Sequence, residues 1–452
     1  MPILNKSAKN PFSARTLVIG FFIIIVVGAF LLCLPISSRT GSFTSYFDCL
    51  FTATSATCVT GLIVFDTYTQ WNLFGQIIIA LLIQIGGLGF VTIITFFNIA
   101  AGKKLGYRTI AVAADGLTES SFEGGRKIFV SIMKYSLIFE VSGAALLATV
   151  FVPRYGLYGI WVSIFMSVTA FCNAGFDLMG QEEQFSSLIH FNSEPIVLIT
   201  IALLIIVGGL GFIVWENFIN IRKVRKLSLH SYAVLIMTGI LIFGGMAMYL
   251  AAEWNNPDTL GSMSIGDKLL NSFFSSVTAR TAGYNSISLE EMRDFSQLGT
   301  IFLMFIGAAP ASTGGGIKVT TLLVLIMIVP SYISNKNDVE IFGHKVNKLA
   351  VYRTLVISVL SMAVVSLCFT VLYCTTPDTA NAAECLFEAV SAFSTTGLSV
   401  GVTAECGIVG RIILIVTMFI GRVGPVSLIM SLTLNGAKRK NVVVPEGQII
   451  IG

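Results

Sequence analysis

Four octets in the chain share one pattern: "SATCVTGL" at 55–62, "TAFCNAGF" at 169–176, "VTARTAGY" at 277–284 and "SAFSTTGL" at 391–398. Each sets small or hydroxyl residues before a Gly and Leu, Phe or Tyr after it. The glycines fall at 61, 175, 283 and 397, with separations of 114, 108 and 114 residues. No CxxC, no HExxH and no cluster of His, Asp or Cys accompanies them. What remains is the chemistry of the main chain. Gly adopts backbone angles closed to other residues, so a loop can stay extended and expose its carbonyl oxygens. Carbonyls from four such loops meeting on one axis can replace the water shell of a dehydrated cation. The candidate ion-binding residues are therefore Cys58, Val59, Thr60 and Gly61; Cys172, Asn173, Ala174 and Gly175; Arg280, Thr281, Ala282 and Gly283; and Ser394, Thr395, Thr396 and Gly397.

A second landmark follows each octet: "IGGLGF" at 85–90, "VGGLGF" at 207–212, "IGAAPA" at 306–311 and "IGRVGP" at 420–425. Its first Gly lies 25, 33, 24 and 24 residues after the octet's Gly. Two landmarks in register four times mark an internal repeat of about 110 residues. "GGLGF" sits inside apolar runs and reads as close helix packing, not as a nucleotide fingerprint. The third copy opens a run unsuited to any helix: Gly307, Ala308, Ala309, Pro310, Ala311, Ser312, Thr313, Gly314, Gly315 and Gly316, with Lys318 just beyond. Pro and repeated Gly cannot sustain a helix, while Ser312 and Thr313 can satisfy exposed backbone groups. Lys318 follows Ile317 and not Gly, so the run is not a phosphate-binding loop. The fourth copy holds Arg422, a charge at a depth where charges are rare and functional. Glu140 and Glu216 read as structural or as near a membrane edge.

The elements that must position these residues are hydrophobic. Of 452 residues 55% are hydrophobic and 12% charged, with mean hydropathy +0.85; soluble domains carry about 25% charged residues. Apolar segments of membrane-spanning length run near 15–35, 72–100, 128–152, 195–220, 231–252, 297–333 (interrupted), 350–374 and 408–433, about 20 residues being enough to cross. Amphipathic runs such as "FTSYFDCLFTAT" (43–54) lead into the octets and suit half-crossing helices. The fold expected is all-α and integral to the membrane: four tandem helix, re-entrant loop, helix units around a pseudo-four-fold axis, with eight spans. The units run 1–101, 102–222, 223–335 and 336–441, followed by a tail at 442–452. The N-terminal run reads as a retained span. The eight Cys have no metal-ligand spacing and read mostly as buried free thiols. The net charge of +4 is not a nucleic-acid signal. Basic residues such as Lys103, Arg108, Arg222, Lys223, Lys345 and Arg439 gather in connections between units and at the termini, whereas Asp177, Glu183, Glu290 and Glu405 flank the loops. The positive-inside rule puts both termini in the cytoplasm and gives the loops an acidic mouth that concentrates cations.

Four glycine loops, eight apolar segments and the interrupted sixth segment together resemble the Trk/Ktr/HKT superfamily of potassium transporters, most closely the membrane subunit of the Ktr system. The likeness spans nearly the whole chain, to "VVVPEGQIIIG" at the end, and lacks the extra N-terminal helix pair of Trk proteins. It implies potassium uptake through a filter made of the four loops, potassium being the transported ion. Gly at all four filter positions is associated in the superfamily with potassium over sodium. The resemblance also makes Gly307 to Gly316 a gate below the filter, with Arg422 part of its barrier. It implies a plasma-membrane homodimer on a cytoplasmic ring of RCK-type nucleotide-binding regulatory subunits, with nucleotide on the partner only. No ATPase motif is present, so the expected flux is passive, and no catalytic residue is expected.

Overall fold

The computed structural model describes residues 11–89, 122–224, 226–336, 338–376 and 380–432. The tail at 442–452 and the basic residues Lys103, Lys104, Arg108 and Lys438–Lys440 lie outside the described residues. Within them the chain is helical apart from connecting loops and one two-stranded hairpin, Glu340–Ile341 with His344–Lys345.

Helices α1 (Pro11–Cys33), α2 (Tyr46–Cys58) and α3 (Leu73–Leu88) set a pattern: a long helix, a short helix ending at a glycine loop, and a second apolar helix. The pattern returns in α4 (Phe122–Tyr155), α5 (Tyr158–Cys172) and α6 (Pro195–Leu210), with α7 (Phe212–Val224) continuing α6. It returns in α8 (Leu229–Glu253), α9 (Ile265–Thr278) and α10 (Asp294–Phe305), with α11 (Val319–Ile333) beyond. The last set is α12 (Lys348–Thr375), α13 (Ala382–Ser394), α14 (Ile408–Val423) and α15 (Pro425–Leu432). Among the described residues, Val130–Tyr155, Leu229–Glu253 and Lys348–Thr375 are each long and apolar enough to cross a membrane, and α6 with α7 would make a further span bent by 93°.

The sequence predicts one interrupted segment, at 297–333. The structure breaks more of them. Between α6 and α7 stands Gly211 (φ 88°), and between α14 and α15 Gly424 (φ 87°). A side chain is strained at such angles, so glycine alone makes this elbow without cost.

Three of the four short helices, α2, α9 and α13, carry many polar residues yet are largely buried, whereas α5 is apolar. In α2 every residue from Phe51 to Cys58 is buried. Two of its threonines bond back one turn, Thr52 to the Asp48 carbonyl at 3.0 Å and Thr54 to that of Leu50 at 2.7 Å, while the buried Thr57 hydroxyl finds no partner among the described residues. Starts are fixed by caps: Ser264 accepts from the Asp267 amide before α9, and Asn381 and Glu384 exchange bonds in a capping box before α13. Outward faces of the long helices are the reverse. Phe22, Phe30, Val359 and Leu367 are all more than half exposed, as a face meeting hydrocarbon requires.

Packing among these elements is cyclic. α3 lies on α5, α6 on α9, α10 on α13, and α14 comes back onto α2. Arg411 at the head of α14 pairs with Asp48 in the first turn of α2 at 2.7 Å, tying the last set of helices to the first. The ring brings the C-terminal ends of the four short helices, and hence the four loops, together.

Candidate functional site

The four loops share two left-handed turns, and three of them, the third excepted, also share one helix-capping pattern. Two residues before each glycine the backbone turns left-handed, at Val59 (φ 60°), Asn173 (φ 59°), Thr281 (φ 68°) and Thr395 (φ 52°). The glycines follow at φ 96°, 67°, 87° and 90°. Left-handed angles are unusual for β-branched residues, and three of the four are Val or Thr. The surrounding packing must hold them there.

The glycines meet in order around an axis. A Cβ built on Gly61 would lie 2.6 Å from the carbonyl oxygen of Ala174, and one on Gly175 would lie 2.7 Å from that of Ala282. One on Gly283 would strike the Thr396 carbonyl, and one on Gly397 that of Thr60. No side chain fits at any of the four. Above them opens a cavity of about 380 Å³, lined by all four glycines with Asp177, Glu183 and Glu290 among its walls. Beside it, a 3.0 Å bond from Arg154 holds the Glu182 carboxyl below its ordinary titration range.

Hydroxyl groups anchor the loops from behind. Ser55 Oγ accepts the Gly61 amide and Ser391 Oγ the Gly397 amide, both at 3.1 Å. Thr278 Oγ1 accepts the Tyr284 amide at 2.9 Å and donates to the Tyr284 carbonyl at 2.7 Å. Tyr284 in turn donates its phenol to Thr169 Oγ1 at 2.6 Å, joining the third loop to the second. These anchors were missed in the sequence, although a signal exists: Ser55, Thr169 and Ser391 each stand six residues before their glycine. Thr60, Thr281, Ser394, Thr395 and Thr396 are different. Their buried hydroxyl oxygens find no hydrogen-bond partner among the described residues. Arg280 departs from the pattern too: it is buried and borders a small space walled by Gly209, Thr238 and Ala308.

Below the loops, the chain from Ile306 to Lys318 is non-helical and folds on itself. Ile306 bridges Ile317, and the Gly307 amide donates to the Ile317 carbonyl at 2.8 Å. Ser312 donates to the Ala309 carbonyl at 2.6 Å, the local role expected of it. Thr313 instead donates to Asn173 Oδ1 at 2.9 Å. A Cβ on Gly314 would strike Thr281 Oγ1, and one on Gly315 Thr395 Oγ1, so the segment lies directly against the loops. Lys318 Nζ donates to the Gly314 carbonyl at 2.6 Å. Arg422 donates to the carbonyls of Thr313 and Gly86. The two basic groups thus spend their protons on the segment's own carbonyls and on α3.

"GGLGF" is indeed a packing device. A Cβ on Gly86 would strike the Thr57 carbonyl, and one on Gly208 that of Phe171. Glu140 is buried and accepts from Gln84 at 2.8 Å, a structural tie between α4 and α3. All eight Cys are free; six are buried, Cys33 is intermediate and Cys374 exposed.

The profile of the TrkH family, described as a cation transport protein, matches residues 12–439. The chain belongs to the TrkH family. Among relatives of this TrkH-family chain, the potassium/sodium uptake protein NtpJ of Enterococcus hirae is 39% identical over 100% of both chains. The Ktr system potassium uptake protein B of Bacillus subtilis is 39% identical, covering 97% of this chain and 96% of its own. The crystal structure of the potassium transporter TrkH from Vibrio parahaemolyticus has the same fold, with TM-score 0.71 at 16% identity over 95% of this chain and 86% of that one. A TrkH-family chain is a membrane transport protein, and its apolar helices fit that setting.

Proposed function

We propose that this chain is the potassium-translocating membrane subunit of an uptake system. Its selectivity filter is Cys58–Gly61, Cys172–Gly175, Arg280–Gly283 and Ser394–Gly397, and its barrier is Gly307–Gly316 with Lys318 and Arg422. One observation carries the reading: four glycines, each too close to the next loop's carbonyl to bear a side chain. Such a ring has nothing to offer a solute except backbone oxygens and the hydroxyls of Thr60, Thr281, Thr395 and Thr396. These suit a bare monovalent cation. The C-terminal ends of the short helices add the negative ends of their dipoles.

In this reading the chain is four tandem units, 1–101, 102–222, 223–335 and 336–441, crossing the plasma membrane eight times with both ends in the cytoplasm. Ions gather in the acidic cavity, shed water in the ring and pass the barrier down their electrochemical gradient. The chain works as a homodimer on a cytoplasmic RCK-type ring, which carries the regulatory nucleotide. The relatives' names support potassium as the ion, and that of NtpJ sets sodium beside it; a sodium dependence of the uptake is part of this reading. The test is rubidium uptake into liposomes holding the purified chain, with potassium, sodium or an organic cation as competitor. Competition by potassium far above sodium is expected. Uptake blocked equally by all three would overturn the reading.

A further inference from the structure

Thr313 is fully buried, and all three of its polar groups are taken by residues far away in sequence. Its carbonyl accepts from Arg422, its amide donates to the Gly208 carbonyl at 3.4 Å, and its hydroxyl donates to Asn173 Oδ1 at 2.9 Å. Asn173 belongs to the second loop, at the left-handed position where the other loops carry Val59, Thr281 and Thr395. Asn tolerates that conformation better than they do. Its Nδ2 has no hydrogen-bond partner among the described residues, so the bond from Thr313 is what orients the side chain.

The meeting is prepared by the elbow of α6 and α7. A Cβ at Gly208 would lie 2.8 Å from Asn173 Oδ1 and 3.0 Å from Thr313 Oγ1, so only glycine leaves room for the pair. Because α6 stops at Leu210, its last carbonyls are free to accept. The Ala309 amide donates to Gly209 at 3.0 Å, and the Phe212 amide takes the Ala311 carbonyl at 2.9 Å. Besides its bond from Arg422, the non-helical segment is therefore seated on the elbow and, among the four loops, hydrogen-bonded to the second.

We propose that Asn173 and Thr313 form a latch by which the second filter loop holds the barrier shut, with Gly208–Phe212 as its seat. This rests on the reading of Gly307–Gly316 as a barrier. Opening must break the Asn173–Thr313 bond before the segment can leave the elbow. Asn173 is then a positioning residue for the barrier as well as a contributor of a filter carbonyl, and the two layers of the path are fastened at one side.

The experiment measures rubidium flux through purified full-length protein in liposomes, with amounts matched. Thr313→Val removes the donor at constant volume, and Thr313→Ser restores it. Asn173→Gly removes the acceptor while keeping a left-handed backbone. One hydrogen bond of ordinary net strength corresponds to about fivefold. Thr313→Val and Asn173→Gly should each raise flux about fivefold, the double variant should rise no further, and Thr313→Ser should stay at the starting rate. Effects that multiply in the double variant, or a Thr313→Ser as leaky as Thr313→Val, would overturn the latch. Deletion of Ala311–Gly315 separates the two readings. If the deletion raises flux and Thr313→Val does not, the barrier stands and the latch falls. If neither raises flux, both fall.

Discussion

Arg422 on α14 donates to the carbonyl oxygen of Thr313, 109 residues away, and with its other nitrogen to that of Gly86 on α3. One guanidinium thereby pins the non-helical segment to two neighbouring elements. It also leaves a positive charge under the ring of loops. A cation passing at about 6 Å, with an effective dielectric near 20, meets about 3 kcal/mol of repulsion.

Arg422→Ala should therefore raise rubidium flux by removing both the pin and the charge. Arg422→Lys should fall between, since ammonium keeps the charge but cannot span two carbonyls. The check is initial uptake rate in liposomes at saturating rubidium. A rate at or below that of the parent protein, at equal protein, would make Arg422 a purely structural residue.

Gly61→Ser places a Cβ where the Ala174 carbonyl stands, at φ 96°. We expect discrimination between potassium and sodium to drop, with the protein still inserted and monodisperse. Growth of an uptake-deficient strain at limiting potassium, with sodium added, reads this directly. Undiminished discrimination would remove Gly61 from the filter.

Deleting Ala311 to Gly315 removes the contacts with Asn173, Thr281, Thr395 and Arg422 in one step. Flux should rise sharply, and preference for potassium should loosen modestly, because Gly314 and Gly315 back onto the Thr281 and Thr395 hydroxyls of the proposed filter. Rubidium uptake with a size-exclusion profile is the measurement. A packing kink would instead fail to fold, since unsatisfied backbone groups at that depth cost several kcal/mol each. A folded but slow deletion variant would exclude the barrier.

Tyr284→Phe removes the phenol that donates to Thr169, at a cost of about 1 kcal/mol. Thr169 retains its bond to the Phe165 carbonyl at 2.9 Å, so no buried donor is orphaned. If Tyr284 holds the second and third loops in register, discrimination against sodium falls while insertion is unchanged. Equal competition curves for the two proteins would reduce Tyr284 to a core residue.

Much of this site was legible because backbone chemistry leaves a periodic trace: a glycine demanded at one place in each loop recurs at 61, 175, 283 and 397. The run at 307–316 was legible for the opposite reason, a local composition that no helix accepts. Long-range pairs were not. Nothing near Thr313 points to Asn173, 140 residues away, and nothing near Tyr284 points to Thr169. The left-handed turns at Val59, Thr281 and Thr395 run against the intrinsic preference of those residues and are imposed by packing. The breaks at Gly211 and Gly424 could be read as close packing but not as interruptions, because the apolar run continues through them.

The contacts between loops run one way round: Gly61 meets Ala174, Gly175 meets Ala282, Gly283 meets Thr396, and Gly397 meets Thr60. The ring is therefore handed. A side chain forced in at one glycine strikes first a carbonyl of the loop that follows, and only at Gly283 does it also come within 3.1 Å of the loop that precedes, at Gly175. Genetic suppressors of Gly61→Ser should then accumulate around Ala174 and Gly175 and spare Thr396 and Gly397, so a selection for restored growth would map the direction of the ring without any coordinates.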